Sequence, residues 1–300
     1  MFSKIFDRSS WSLFVALTRR DLTQRYRGSL MGLLWAFVTP LSLLAVYAFV
    51  FRSVFEARWP SVPPSDPSAG SVLQRLMATM LPEGIAFALN LFVGLFVLSA
   101  FGEVISRAPR LVLDHPQLVR RVVFPLPMLG FVLAATAFVQ TFMQFLVLLF
   151  VLLTVMLFGV LKSELGMPNL ALLSIELSFR IGVSVLILAC LAPLLLGLSW
   201  LLAALGTYFR DIQYVTPAVM SFLMFLGPVF YPLSALPTDI QPWVYLNPIT
   251  LIAEQIRAVL LLGASVDGWA LSIYLGLTSM FACAAYCLFA RVRKGFADVL

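Results

Sequence analysis

The chain has 300 residues, of which 61% are hydrophobic and 11% are charged, and its formal net charge is +6. Soluble globular domains carry about 25% charged residues, so this composition excludes a soluble fold and predicts an integral membrane protein. The basic residues lie mostly near the ends of apolar stretches, where they orient membrane helices. The positive charge therefore requires no nucleic-acid partner.

The first predicted element is an amphipathic helix over residues 10–30. Its apolar residues fall on one stripe, made of Trp11, Phe14, Val15, Leu22 and Tyr26. Basic and polar residues fall on the other side. We expect this helix to lie in the cytoplasmic interface of the membrane, before the first span. The alternative is a basic anchor that orients the chain and contacts no partner.

Six stretches without Asp, Glu, Lys or Arg are long enough to cross about 30 Å of hydrocarbon. They lack the alternation of barrel strands, and lipid cannot pair free backbone groups, so the spans must be helices. The prediction is an all-α polytopic membrane protein with a single domain over 1–300. The predicted spans are 30–51, 84–104, 128–160, 180–206, 213–231 and 268–290.

The distribution of basic residues predicts that both termini are cytoplasmic, because Lys and Arg are retained on that side of the membrane. The third span is predicted as one long helix that starts near Met128, since no later Pro or Gly pair makes a turn. Before it, a short basic helix begins at Pro116 and ends at Pro125. A tight cytoplasmic turn with Arg210 and Asp211 separates the fourth and fifth spans.

The segment 232–266 differs from the spans. It contains four prolines, two short apolar pieces, and Glu254 and Arg257 one turn apart. Each piece is too short or too charged to cross the membrane, so we predict a re-entrant or interfacial helical hairpin at the outer face. A surface loop is the alternative.

Several chemistries lack their motifs in this chain. The lysines Lys4, Lys162 and Lys294 are not preceded by glycine, so there is no phosphate-binding Gly-Lys-Ser/Thr loop, and any ATP must be bound by another chain. The spans carry no carboxylate at mid-membrane for ion coupling, because Glu83, Glu103, Glu176 and Glu254 fall at span ends or in outer segments. His115 lies alone in a loop, which disfavours acid-base or metal catalysis. We therefore predict no catalytic residue, no metal site and no cofactor in this chain.

Five motifs, one of them in two parts, resemble a known family in the same order along the chain. They are RDLTQRYRGSLMGLLWAFVTP at 20–40, LVRRVVFP at 118–125, FRD at 209–211 with PVFYP at 228–232, LNP at 246–248 and RKGFAD at 293–298. These segments resemble the permease subunits of type-2 ABC exporters, in particular the branch that exports lipid-linked polysaccharides such as O-antigen, capsule and teichoic acid. The resemblance implies a homodimer of permeases with two nucleotide-binding ATPase subunits, which hold ATP and Mg²⁺.

The resemblance also implies roles for residues. Those expected to contact the ATPase are Arg19, Arg20, Asp21, Arg25, Tyr26, Gln117, Leu118, Arg120, Arg121, Phe124, Arg210 and Asp211. Those expected to close the outer mouth between protomers are Tyr231, Pro232, Trp243, Asn247 and Pro248. Sugars stack on aromatic rings and need hydrogen-bond partners for their hydroxyls. Trp35, Tyr47 and Tyr208 are therefore candidates for the channel wall, with helix packing as the alternative for each.

The leading prediction is the channel-forming permease of an ATP-driven exporter of a lipid-linked polysaccharide. One alternative keeps the superfamily and changes the cargo to a drug, lipid or other small amphiphile. Another is a membrane enzyme that modifies glycolipids, and a third is a membrane anchor without a transport role.

Overall fold

The computed structural model describes residues 8–53, 59, 83–119, 124–162 and 170–296. Within these ranges the chain is helical and contains no strand, which confirms the all-α prediction. The helices are α1 Arg8–Tyr26, α2 Trp35–Ser53, α3 Glu83–Arg107, α4 Pro116–Val119, α5 Pro127–Lys162, α6 Leu170–Ala189, α7 Ala192–Tyr208, α8 Ile212–Leu226, α9 Gln241–Val244, α10 Pro248–Ile256 and α11 Gly268–Val292.

Four segments of the described chain are long and apolar enough to cross a membrane: Gly84–Arg110, Pro127–Phe158, Leu173–Tyr208 and Gly268–Gly295. The first and fifth predicted spans correspond to shorter apolar helices, α2 and α8. With 15 residues, α8 is about 22 Å long at a rise of 1.5 Å per residue, less than the hydrocarbon thickness. Four of the six predicted spans are thus matched by length and composition.

A glycine-containing turn separates α1 from α2. Gly28 and Gly32 have φ values of +87° and +50°, a left-handed conformation that side chains with a Cβ rarely adopt. A short 3₁₀ turn, Gly32–Leu34, then leads into α2. The predicted 10–30 helix therefore ends at Tyr26, and the first apolar helix begins at Trp35.

The third predicted span is confirmed as a single helix, α5, of 36 residues. The fourth differs from the prediction, because it begins at Leu170 and is interrupted at Cys190 and Leu191. Pro193 lies in the first turn of α7 and has no N–H to continue the hydrogen bonding of α6. The predicted start near Arg180 was too late, since this arginine lies inside α6 and pairs with Glu176 at 2.8 Å.

The core is built around α3, which packs against α2, α5, α7, α8 and α10. The most apolar stretch of α3 is 78% buried, against 22% for that of α11. Elsewhere, α7 packs along α11 and α5, where Trp200 contacts the rings of Phe131 and Tyr286 and donates from Nε1 to the Pro127 carbonyl at 3.0 Å. Because α3 is central, it contacts helices from both the N-terminal and the C-terminal parts of the chain.

Candidate functional site

An ionic cluster joins the end of α1 to α3 and α5. Arg107 donates to both carboxylate oxygens of Asp21, at 2.7 and 3.0 Å, and to Glu103 at 2.6 Å. Arg25 also donates to Glu103, with one Nη1 to Oε2 distance of 3.1 Å, and to Oε1 of Gln140. We call these five residues the α1 cluster. They connect helices that lie about 80 to 115 residues apart in the sequence.

The charges of the α1 cluster balance, with two arginines and two carboxylates. The four charged side chains are only 16% to 37% exposed. Burial works against the charged form of Asp21, but the hydrogen bonds and positive charge of Arg107 outweigh it and hold the pKa of that carboxyl below its ordinary value. Asp21 is therefore ionised at neutral pH, and loss of Arg107 removes the partner that stabilises this partly buried carboxylate.

Two further loops lie at the same end of the helices. A short 3₁₀ turn after α3 places the backbone of Pro109 directly against Gly206, near the end of α7. The α7–α8 turn follows, and its Arg210 and Asp211 are exposed, as the predicted tight turn requires. The end of α1, the end of α3 and the α7–α8 turn therefore meet at one end of the structure.

The segment 232–266, which we call the hairpin segment, contains α9 and α10. Asn247 caps α10 by accepting from the Ile249 N–H at 3.1 Å, and its amide donates to the Leu223 carbonyl of α8 at 2.9 Å. Tyr274 of α11 donates to the Pro248 carbonyl at 3.2 Å. Ile249, Ile252 and Ile256 of α10 are fully buried. The α10 part of the hairpin segment is therefore packed against the helices, whereas most residues of 234–246 are exposed.

Comparison with known proteins identifies the family. The profile of the family described as "ABC-2 type transporter" matches residues 12–261. The chain belongs to the ABC-2 type transporter family. It is similar to the O-antigen export system permease protein RfbA of Myxococcus xanthus, with 24% identity over 288 residues, which is 95% of this chain and 94% of that protein. A protein of the same name from Klebsiella pneumoniae is 21% identical over 243 residues, 80% of this chain and 76% of that protein.

The predicted ATPase contacts of this ABC-2 type chain fall into exposed and partly buried groups. Arg19 and Arg20 are exposed on α1, whereas Asp21 and Arg25 are held in the α1 cluster. Tyr26 is partly buried. The apolar stripe predicted for α1 is also divided, because Trp11 and Val15 are exposed whereas Leu22 and Tyr26 are partly buried.

The short helix α4 begins at Pro116 as predicted and is described for four residues. Gln117 is exposed, while Leu118 and Phe124 are partly buried against the core. Arg120 and Arg121 lie outside the described residues. His115 contacts the Leu111 carbonyl through Nδ1 at 3.0 Å, a local bond within this loop.

The candidate channel residues lie at different places. Trp35 is exposed at the start of α2, and Tyr47 is partly buried with its ring 6.3 Å from that of Phe51. Tyr208 lies at the end of α7, where its hydroxyl donates to the Val292 carbonyl at 3.1 Å and its ring packs near Phe296. These contacts favour helix packing for Tyr208.

The predicted mouth residues share the hairpin segment and its start but differ in exposure. Asn247 and Pro248 make the hydrogen bonds to α8 and α11 described above. Tyr231 is partly buried and donates to the Phe225 carbonyl at 3.2 Å, and Pro232 is also partly buried. Trp243 is exposed.

The sequence prediction did not assign Glu103, Arg107 and Gln140 to a site. The available signal was the spacing of Glu103 and Arg107, one helical turn apart at the end of an apolar stretch. Arg257 was also missed as a structural centre. The prediction placed it in the re-entrant or interfacial hairpin without a structural role; it is 1% exposed and donates to α3 and to the residues that follow α8.

Proposed function

We propose that this chain is the channel-forming permease subunit of an exporter that moves a lipid-linked polysaccharide from the cytoplasm across the inner membrane. The observation that carries the proposal is the similarity to an O-antigen export permease over 95% of this chain and 94% of that protein. Membership of the ABC-2 type transporter family alone would support a transport function without indicating the cargo. Agreement over nearly the full length of both chains extends the likeness to the segments that would contact cargo.

Energy would come from a separate ATPase subunit, since this chain has no Gly-Lys-Ser/Thr loop. Two such subunits, each with ATP and Mg²⁺, would bind a dimer of this chain. Their contact surface would include exposed Arg19 and Arg20 of α1, α4 with its following basic residues, and the Arg210 turn. This arrangement makes the end of the structure that holds the α1 cluster the cytoplasmic end.

The α1 cluster would transmit force. Its ion pairs attach α1 to α3, and α1 also packs along α5. An ATPase that displaces α1 therefore moves α3, which is the most enclosed of the four long apolar segments in the described chain. Bidentate and shared ion pairs resist rotation better than a single contact.

The second copy would cover apolar faces that are unpaired in one described chain. Both α2 and α8 pack against α3, and both expose large apolar side chains, including Phe49 and Phe222. A channel between two copies would bring these faces together with Trp35 and Tyr47. The hairpin segment would lie at the outer mouth, as a re-entrant element at the far end of α3 from the α1 cluster.

Deletion of the chain in its own host tests the function. We expect the lipid-linked polysaccharide to disappear from the cell surface and to accumulate inside, and the intact chain to restore surface display. A strain that lacks the partner ATPase should show the same accumulation. Normal surface polysaccharide in the deletion strain would contradict the proposal, and loss of polysaccharide synthesis itself would favour the glycolipid-modifying enzyme.

A further inference from the structure

A single buried arginine joins three parts of the fold. Arg257 is the first residue of a π turn, Arg257–Leu261, that follows α10. Its Nε donates to the Asn90 carbonyl of α3 at 2.9 Å. Its Nη1 donates to the Pro228 carbonyl, just after α8, at 2.6 Å, and its Nη2 lies 3.4 Å from the Val229 carbonyl. The side chain is 1% exposed.

The partners of Arg257 explain why an arginine is placed here. α8 ends at Leu226, and Pro228 and Val229 are buried, so their carbonyls need donors from elsewhere in the protein. The planar guanidinium offers several N–H groups in a fixed geometry. Glu254, one turn earlier on α10, accepts from Nη1 at 2.6 Å and compensates the charge. The ring of Trp59 lies 4.8 Å from the guanidinium carbon.

A glycine on α3 makes room for this arrangement. Gly94 lies one turn after Asn90, and a Cβ built on it would be 2.7 Å from Nη2 of Arg257 and 3.0 Å from the Val229 Cα. Such distances are closer than van der Waals contact allows. The absence of a side chain at this position therefore lets both the guanidinium and the backbone after α8 lie directly against α3.

The two polar centres lie on the same helix. Glu103 and Arg107 of the α1 cluster are at the end of α3, whereas Asn90 and Gly94 lie near its start. The 13 residues from Asn90 to Glu103 correspond to about 20 Å of helix. If Arg257 holds α10 to α3, a displacement of α3 that starts at the α1 cluster is therefore transmitted to α10.

We propose that Arg257 is a positioning residue that holds α10 against α3 in the space provided by Gly94, so that movement of α3 carries the hairpin segment with it. Given the proposed function, α3 then links the ATPase side of the permease to the outer mouth. Arg257 touches no cargo in this account. Its role is to transmit ATPase-driven movement of α3 to the hairpin segment at the outer mouth.

Accessibility of a buried position measures this attachment. Ala253 of α10 is 1% exposed, so Ala253→Cys is a reporter in a chain that also carries Cys190→Ala, Cys283→Ala and Cys287→Ala. The permease is assembled with its ATPase in membranes and labelled with a membrane-impermeant maleimide. With Arg257 intact, we expect slow labelling at rest and faster labelling when ATP is added.

Arg257→Gln should raise the resting labelling rate by about tenfold, because several buried hydrogen bonds are lost, and ATP should no longer change the rate. Arg257→Lys keeps the charge but not the planar donor geometry and should act in the same direction. Gly94→Ala should resemble Arg257→Gln, although the arginine is still present. The double variant Gly94→Ala with Arg257→Gln should be no more accessible than the worse single variant, since both remove one interaction.

A matched control is a buried hydrogen bond that stays inside the hairpin segment. Thr250 donates from Oγ1 to the Val244 carbonyl at 2.7 Å. Thr250→Val should therefore leave resting labelling slow and ATP-dependent. Equal effects of Thr250→Val and Arg257→Gln would show only general loosening of the segment and would overturn the proposal.

The coupling readout separates a positioning role from loss of the fold. In the assembled complex, Arg257→Gln and Gly94→Ala should reduce polysaccharide export at least tenfold while ATP hydrolysis stays within about twofold. Unchanged labelling in both variants would overturn the proposal, as would a parallel fall of hydrolysis and export in both. Because labelling needs no cargo, ATP-dependent labelling in a complex that exports no polysaccharide would contradict the proposed function and leave the role of Arg257 standing.

Discussion

The α1 cluster and the Arg257 site show two ways to place charge in a membrane protein. In the α1 cluster, side chains of opposite charge contact each other and remain 16% to 37% exposed. At Arg257, one side chain is 1% exposed and donates mainly to backbone carbonyls. The α1 cluster depends on complementary charge, whereas the Arg257 site depends on donor geometry. Exchange of the positive and negative residues of an ion pair should therefore be tolerated in the α1 cluster but not at the Arg257 site.

The largest effect is expected from a charge exchange at the Arg257 site. Arg257→Glu removes the donors to the carbonyls, and the double variant Arg257→Glu with Glu254→Arg restores the charge balance but places the donors one turn away from these carbonyls. Breaking a buried charged site of this kind costs about 3–5 kcal/mol. Both variants should lower the melting temperature of the detergent-purified complex to a similar extent. Full recovery in the double variant would show that charge balance alone matters at this site.

The α1 cluster should respond differently to a charge exchange. Asp21→Arg places a third positive charge in the α1 cluster and should cost about 2 kcal/mol of α1 attachment, the usual range for lost hydrogen bonds between charged groups. The exchange Asp21→Arg with Arg107→Asp restores the opposite charges and should recover part of this loss. Hydrogen exchange of the α1 amides measures the attachment. Absence of any recovery would indicate that the geometry of this ion pair outweighs its charge.

A smaller effect is expected from a neutral member of the α1 cluster. Gln140 lies on α5 and accepts a hydrogen bond from Arg25 of α1. Glu103 of α3 also accepts from that arginine. Gln140→Ala should therefore cost about 1 kcal/mol, the usual value of one hydrogen bond. The same exchange measurement on α1 should show a shift smaller than that of Asp21→Arg. A larger shift would make α5, not α3, the main attachment of α1.

The smallest effect on stability is expected from the basic residues that are predicted to contact the ATPase. Arg19→Ala with Arg20→Ala should change the melting temperature of the permease alone very little, because exposed substitutions usually stay within about 0.5 kcal/mol. Arg120→Glu with Arg121→Glu should likewise leave membrane insertion intact. Both pairs should weaken co-purification of the ATPase. Unchanged co-purification would remove these residues from the proposed contact surface.

The length of apolar stretches and the positions of prolines were enough to predict several helices and turns. The single long helix α5, the start of α4 at Pro116 and the tight turn at Arg210 follow from apolar length and proline position. The fourth span was placed wrongly because Arg180 was treated as a boundary. Its partner Glu176 lies one turn away on the same helix, so the charge is compensated inside α6.

Partners that are distant in sequence could not be predicted in the same way. Arg25 and Glu103 are 78 residues apart, and Arg257 and Asn90 are 167 residues apart. The sequence gives no reason for the glycine at 94, because the guanidinium that needs its space comes from Arg257, in the turn after α10. Such contacts depend on how the helices pack, which apolar periodicity does not specify.

Reconstitution in proteoliposomes tests the central claim most directly. The permease and its ATPase are inserted together, lipid-linked polysaccharide is supplied on the ATPase side, and its appearance on the other side is measured with and without ATP. We predict transfer that requires ATP and the ATPase and that is lost with Asp21→Arg in the permease. Transfer at the same rate without ATP, or chemical change of the glycolipid by the permease alone, would contradict the account.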